Sequence, residues 1–418
     1  MPLAMPLDPV EILQQLISIP SVNPLGREDA GGIYGEARLT DHLERVCERL
    51  GWRWLRQQVH PGRENLLAVV PGNPPATSGG ELQLWDVHQD TVAVDGMTVP
   101  PFGGEVRDGR VYGRGASDDK GPMAAMIAAL ARLNRSQSAG DRPTVVIAFP
   151  VNEECCFTGA SAMCDLWHPE RQADAHITGG NISAAEMFPR RPDLAIIAEP
   201  TDLNVVVAHQ GMVRWRCQVT GRAAHSSRPE EGINAIYAIA RVAEVIEDYQ
   251  KTLADGPAHP LCGRPAVCVT TIQGGVGINT VPDRATISID RRIGPGENPE
   301  AACNDLVRYV AEHANLGLAR LDHDPPFMKS SGLSDVLNRP LAERLTRLVR
   351  QAGRDSECVG AAYGTDAAAI GKAGVPTVVF GPGSMRQAHT EDEFIEVAEL
   401  NLGTELFHSI ALERLISD

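Results

Sequence analysis

PTVVIAFPVNEE, residues 143 to 154, runs through seven mostly apolar residues straight into two adjacent glutamates, Glu153 and Glu154. A short, β-rich, uninterrupted run of this kind reads as a strand buried on both faces of a parallel sheet. Three other segments share the form. LQLWDVHQD (82–90) leads into His88 and Asp90, DLAIIAEPTD (193–202) into Glu199, and VPTVVFGPG (375–383) into a loop that reaches His389. Open α/β sheets bind ligands beyond the carboxyl ends of their strands. Four strands that each end at a metal-binding residue type therefore predict one site at one sheet edge, with intervening helices such as the one after Lys120 covering the faces.

The middle of the chain has another rhythm. Strands are expected at 212–219, 266–272, 285–291 and 316–321, with helices at 232–250 and 297–314. That β-α-β-β-α-β order is the split pattern of a ferredoxin-like domain. The expected architecture is an α/β domain with a mostly parallel sheet (1–210 and 325–418), interrupted by a ferredoxin-like insertion (211–324). The polar segment 167–192 reads as a surface excursion.

The 418 residues carry a net charge of −16 and 43% hydrophobic residues. An acidic chain repels phosphate backbones, which argues against nucleic acid as a partner. PVEILQQLISIP near the start is short, interrupted by polar residues and lacks a basic leader. It reads as an amphipathic helix with Asp8 as N-cap, not as a signal or membrane segment. The nine cysteines are odd in number and form no C-x-x-C, which suits packed, reduced thiols in a cytoplasmic protein.

Several residues could do chemistry. Residues two apart on a strand face the same side, so Asp90 can reach the His88 nitrogen turned away from a metal. In GRGASDDKGP, helix capping accounts for one of Asp118 and Asp119 and leaves the other carboxylate available to bridge two metal ions. Adjacent side chains such as Glu153 and Glu154 diverge, so one can bind metal while the other faces substrate. Two histidines and three carboxylates from separate segments suit a borderline metal such as zinc.

At this point the chain resembles the two-zinc amidohydrolases that include acetylornithine deacetylase, succinyl-diaminopimelate desuccinylase, aminoacylase and several dipeptidases and carboxypeptidases. The resemblance runs from HQDTV through GASDDKGP, NEE, AEPTD, GRAAHSSRPEEGINAI, GINTVPDRATISIDRR and YGTDAA to GPGSMRQAHTEDEF. It implies that His88 and Glu199 hold one metal, Glu154 and His389 the other, and that Asp118 bridges them before a cis peptide to Asp119. Glu153 matches the general base and Asp90 the carboxylate behind His88. In the insertion, His225 and Asn279 match residues that reach into a dimer mate's active site, where they stabilise the oxyanion and bind substrate. Arg292 matches an arginine that binds a substrate carboxylate.

The lack of a signal or membrane segment places the protein in the cytoplasm, and the resemblance implies a homodimer with two divalent metal ions, zinc in the first place and cobalt or manganese as alternatives. Glu199, where peptidases of the family commonly have Asp, points to an N-acyl-amino-acid deacylase of the acetylornithine type. A dipeptidase or carboxypeptidase is the alternative, and an inactive metal-binding dimeric scaffold the remote one. Cys155 and Cys156 follow the glutamates where the family often has small residues, and they are expected to pack behind the site as thiols.

Overall fold

The computed structural model describes residues 8–25, 32–133 and 141–416. The chain divides into two units. The larger runs to Val207 and resumes over Asp335–Val359 and from Thr365, while the smaller comprises Ala208–Ser334 with Gly360–Gly364.

A nine-stranded sheet organises the larger unit. Its strands follow the order Cys358–Ala361, Val205–His209, Thr377–Val379, Leu194–Ile197, Leu82–Asp86, Thr144–Phe149, Arg63–Val70, Arg53–His60 and Ile177–Gly180. The four central strands, Thr377–Val379 to Thr144–Phe149, are mutually parallel. They are the four apolar runs of the sequence, side by side, so their carboxyl ends open on one edge. Every residue of Leu82–Asp86 and Thr144–Phe149 is buried, as strands covered on both faces must be. Outside this centre the pairing turns antiparallel, through a hairpin that joins Arg53–His60 to Arg63–Val70.

Helix Lys120–Leu133 is buried almost all round because Ala124, Ala125, Ala128 and Ala129 let neighbours approach closely. Helix Val397–Leu412 packs against it. From that helix Phe407 meets Trp85 of the sheet, with ring centroids 5.4 Å apart, and Phe380 at 5.6 Å. Each such aromatic stabilises the core by about 1.5–3 kcal/mol through burial alone. Asp8 caps helix Pro9–Ile17 by accepting from the Val10 N–H at 2.9 Å. The polar segment 167–192 does more than cross the surface. Its Ile177–Gly180 adds an edge strand against Arg53–His60, and Ser183 with Glu186 forms a capping box on the short helix Ala184–Met187.

In the smaller unit the main sheet has the order Ala266–Gly274, Arg284–Ile293, Gly211–Thr220, Arg320–His323, all antiparallel. With helices Ala235–Asp255 and Pro299–His313 this is the ferredoxin-like order expected from the sequence. Alternation along Gly211–Thr220 sends Trp215, Cys217 and Val219 into a core shared with Ile239, Val242 and Leu306. Met328–Ser330 pairs with the start of Gly211–Thr220. The smaller unit therefore extends to Ser334, beyond the 324 expected from the sequence. Among the described residues no helix is long and apolar enough to cross a membrane.

Candidate metal centre

His88 follows strand Leu82–Asp86 by two residues, and Glu199 follows Leu194–Ile197 by the same interval. Glu153 and Glu154 open a one-turn helix just beyond Thr144–Phe149. His389 arrives on the loop after Thr377–Val379, in a left-handed backbone conformation with φ 64°. Parallel strands thus bring four distant segments to one edge, and Asp118 reaches the same place from the loop before helix Lys120–Leu133.

Asp118 lies between the histidines. Its Oδ1 is 3.0 Å from His88 Nε2 and its Oδ2 3.3 Å from His389 Nε2, while Glu154 Oε2 is 3.2 Å from the same His389 nitrogen. Ligand atoms of His88, Asp118 and Glu154 fall within 4.8 Å of one another, as do those of His88, Glu153 and Glu199. One carboxylate that faces two imidazoles through different oxygens is the arrangement a bridging ligand needs. The Asp118–Asp119 peptide is cis, as the resemblance implied. Capping does not explain Asp119, whose buried carboxylate oxygens have no hydrogen-bond partner among the described residues.

Asp90 lies behind His88, and its backbone carbonyl comes nearer the ring than its carboxylate. His88 Nδ1 bonds the Asp90 backbone carbonyl at 2.9 Å, whereas the Asp90 carboxylate lies 3.8 Å away. That carboxylate instead accepts the backbone N–H groups of Glu153 (3.1 Å) and Glu154 (3.2 Å), and the Asn23 amide at 2.6 Å. Asp90 caps the one-turn helix in place of Asn152, whose own side chain makes no cap bond. A carbonyl can only accept, so this bond puts the His88 proton on Nδ1 and leaves Nε2 free to face Asp118.

One residue escaped the sequence reading. Glu393, four positions after His389, is fully buried and accepts from Arg114 Nη1 (2.6 Å) and from the N–H groups of Gly115 (3.2 Å), Ser117 (2.9 Å) and Asp118 (3.0 Å). It fixes the loop that delivers Asp118. Its only sequence signal was an acid at that spacing in QAHTEDEF, and nothing there distinguishes it from Glu391 or Asp392.

The site is rich in acid and short of cations. Burial, and then the Glu199 charge, pushes Glu153 well above the usual carboxylate range. Burial followed by Asp118 does the same to Glu199, and burial raises Glu154 to about 7. Asp118 goes the other way. Burial opposes its ionisation, but hydrogen bonds from His389 and His88 hold its carboxyl low. Those to Asp118 and Glu154 raise His389 to about 10. The Glu154 Oε1 is buried without a hydrogen-bond partner among the described residues. Unpartnered carboxylates around two imidazoles fit divalent cations, which supply the missing positive charge.

The remaining predicted residues lie in the smaller unit. A two-stranded ladder pairs His225 with Thr280, and the Asn279 carbonyl accepts the Ser226 N–H at 3.0 Å, so His225 and Asn279 are neighbours. Both are exposed. Arg292 pairs with Asp290 along its own strand at 3.2 Å. Cys155 and Cys156 are half-buried on the helix of Glu153 and Glu154, with their sulfurs 2.8 Å apart.

Comparison with known proteins places the chain in a family. The chain is 30% identical over 395 residues to an acetylornithine deacetylase of Photorhabdus laumondii, covering 93% of this chain and 92% of that one. It is 27% identical over 395 residues to a probable succinyl-diaminopimelate desuccinylase of Staphylococcus epidermidis, covering 85% and 89%. The fold matches an M20 family metallo-carboxypeptidase of Sulfolobus solfataricus with a TM-score of 0.72 at 16% identity, over 97% and 98% of the two chains. Residues 84–413, from strand Leu82–Asp86 to the end of the last helix, match the pattern described as Peptidase family M20/M25/M40. The acid-rich edge of the central sheet thus lies within the matched region, and the chain belongs to Peptidase family M20/M25/M40.

Proposed function

We propose that the chain hydrolyses the amide bond of an N-acyl amino acid, in the manner its relatives named acetylornithine deacetylase suggest. The observation that carries the reading is the Asp118 carboxylate between His88 and His389, with Glu153 buried beside it. His88 and Glu199 would hold one divalent ion and Glu154 and His389 the other, with the Asp118 carboxylate available to both. Zinc is the first candidate, with cobalt and manganese as alternatives. The chemistry such ions would supply is Lewis-acid activation of a water and of the amide carbonyl.

Glu153 then takes the proton of the attacking water and returns it to the leaving amine. A carboxyl with a raised pKa suits both halves of that task. Its place beside His88 and Glu199 would also let it act as a ligand, and Glu153→Gln separates the roles. A base leaves metal content intact when replaced; a ligand does not. Asp90 and Glu393 hold the backbone of the reacting segments in register.

For the smaller unit the reading keeps His225 as an oxyanion-stabilising group, Asn279 as a substrate-binding group and Arg292 as a carboxylate-binding group. It also assigns this unit to a homodimer contact. The edge strand Ala266–Gly274 with its exposed Ile272, the exposed Val276 and Ile278 that follow it, and exposed Tyr237 on helix Ala235–Asp255 support that assignment. A cytoplasmic setting suits an enzyme of small acylated amino acids. The substrate is tested by following acetate or succinate release from N-acyl amino acids beside amine release from dipeptides. Faster turnover of any dipeptide than of every acylated amino acid would make the chain a peptidase.

A further inference from the structure

Glu153 and Glu154 owe their orientation to the residue before them. Asn152 adopts φ 67°, a left-handed conformation that lets the strand turn abruptly into the one-turn helix. It is buried, and the groups of its side chain are all engaged. Its Oδ1 accepts from Arg63 Nη1 at 2.9 Å and from Asn23 Nδ2 at 3.0 Å, and its Nδ2 donates to Thr158 Oγ1 at 2.9 Å. Its backbone N–H donates to Glu36 Oε1 at 3.3 Å.

Arg63 is itself fixed. Glu36, fully buried, accepts from Arg63 Nε at 2.7 Å and from Nη2 through its second oxygen. That two-point fork leaves Nη1 aimed at Asn152. Glu36 precedes helix Ala37–Leu50 but makes no side-chain cap there. Neither ion-pair partner caps a helix, so capping does not account for burying the pair.

We propose that the Glu36–Arg63 pair is a positioning device for Glu153, acting through the side chain of Asn152 to hold the turn that carries it. The inference rests on the assignment of Glu153 as the base. Asn23 joins the two supports, since its one amide donates to both Asp90 and Asn152. The turn is thereby clamped at its backbone N–H groups by Asp90 and at its hinge by Arg63. Displacing a reacting group by about 1 Å can cost a hundredfold in rate.

The test uses the metal-loaded enzyme and whichever acylated amino acid or dipeptide it turns over fastest. In Glu36→Gln/Arg63→Met, Gln keeps an acceptor for the Asn152 N–H while the clamp on its side chain is lost. Replacing both partners of a buried ion pair by neutral residues is often tolerated in stability. The expected result is kcat lowered roughly tenfold to a hundredfold, with KM and metal content within twofold of the parent.

A second pair removes any dependence on that variant folding. Gly accommodates the left-handed turn at 152 but has no side chain, whereas Asp keeps the acceptor. Asn152→Asp is expected to hold kcat within threefold of the parent, and Asn152→Gly to lose at least tenfold. Equal kcat for the Gly and Asp variants would overturn the inference, because backbone freedom alone would then be what matters. Glu153→Gln is measured alongside. If it remains active, the assignment of the base fails; if it is inactive while both clamp variants match the parent, only the positioning role fails.

Discussion

Asp118 presents one oxygen to each of two histidines from strands that are not neighbours, Oδ1 at 3.0 Å from His88 Nε2 and Oδ2 at 3.3 Å from His389 Nε2. A carboxylate so placed joins the two halves of the site. Removing its charge in Asp118→Asn should lower metal content from two ions per chain to one or fewer and reduce turnover by at least a hundredfold. Elemental analysis of the dialysed protein checks the first part. Two tightly held ions in the variant would show that the site is built without a bridge.

Metal binding should release protons. In the metal-free protein His389 is raised to about 10 and Glu154 to about 7, so at neutral pH His389 carries a proton and Glu154 about half of one, which a ligand must lose. Both groups have folded values above their ordinary ones. Affinity should therefore climb as pH rises from 6 towards 9, with His389 contributing across the whole interval and Glu154 mainly below 7. Titration calorimetry in two buffers of different ionisation enthalpy reads the proton count directly. A pH-independent affinity would contradict it.

Glu393 ties the His389 loop to the Asp118 loop through four donors. Glu393→Ala strands the buried Arg114 guanidinium and three backbone N–H groups. Breaking one partner of a buried pair costs about 3–5 kcal/mol. Urea unfolding of the metal-free variant should show a loss of that order, accompanied by weaker metal binding. A change of less than about 1 kcal/mol would place the loop under other control.

Truncation in the core behind the sheet should behave differently. Phe407 packs against Trp85 and Phe380 in the core between the sheet and its covering helix. Phe407→Ala should cost about 3–5 kcal/mol of stability while leaving the metal content of the folded fraction unchanged.

The central strands were legible because runs such as VVIAF (145–149) and LAII (194–197) are apolar throughout, which a sheet covered on both faces requires. Their order in space was not, since parallel strands pair across helices that the sequence does not orient. The insertion was legible for a related reason. Alternation along Gly211–Thr220 and Arg284–Ile293 marks sheets with one buried face. Met328–Ser330 was misplaced because three residues carry too little pattern to show which sheet they join. Asp90 shows the limit at the site. Strand periodicity correctly put it near His88, yet whether its carbonyl or its carboxylate would meet the ring depended on the N–H groups of Glu153 and Glu154, 63 and 64 residues away. Roles set by such long-range hydrogen bonds, Glu393 and Arg63 among them, leave no local trace in the chain.

Metal content and turnover measured together on Glu153→Gln test the account most directly. The account predicts two divalent ions per chain and turnover lowered by about 10²–10⁴, the usual contribution of a general base. Turnover within tenfold of the parent, or loss of an ion on substitution, would contradict the assignment of Glu153 as the proton carrier beside a complete two-metal centre.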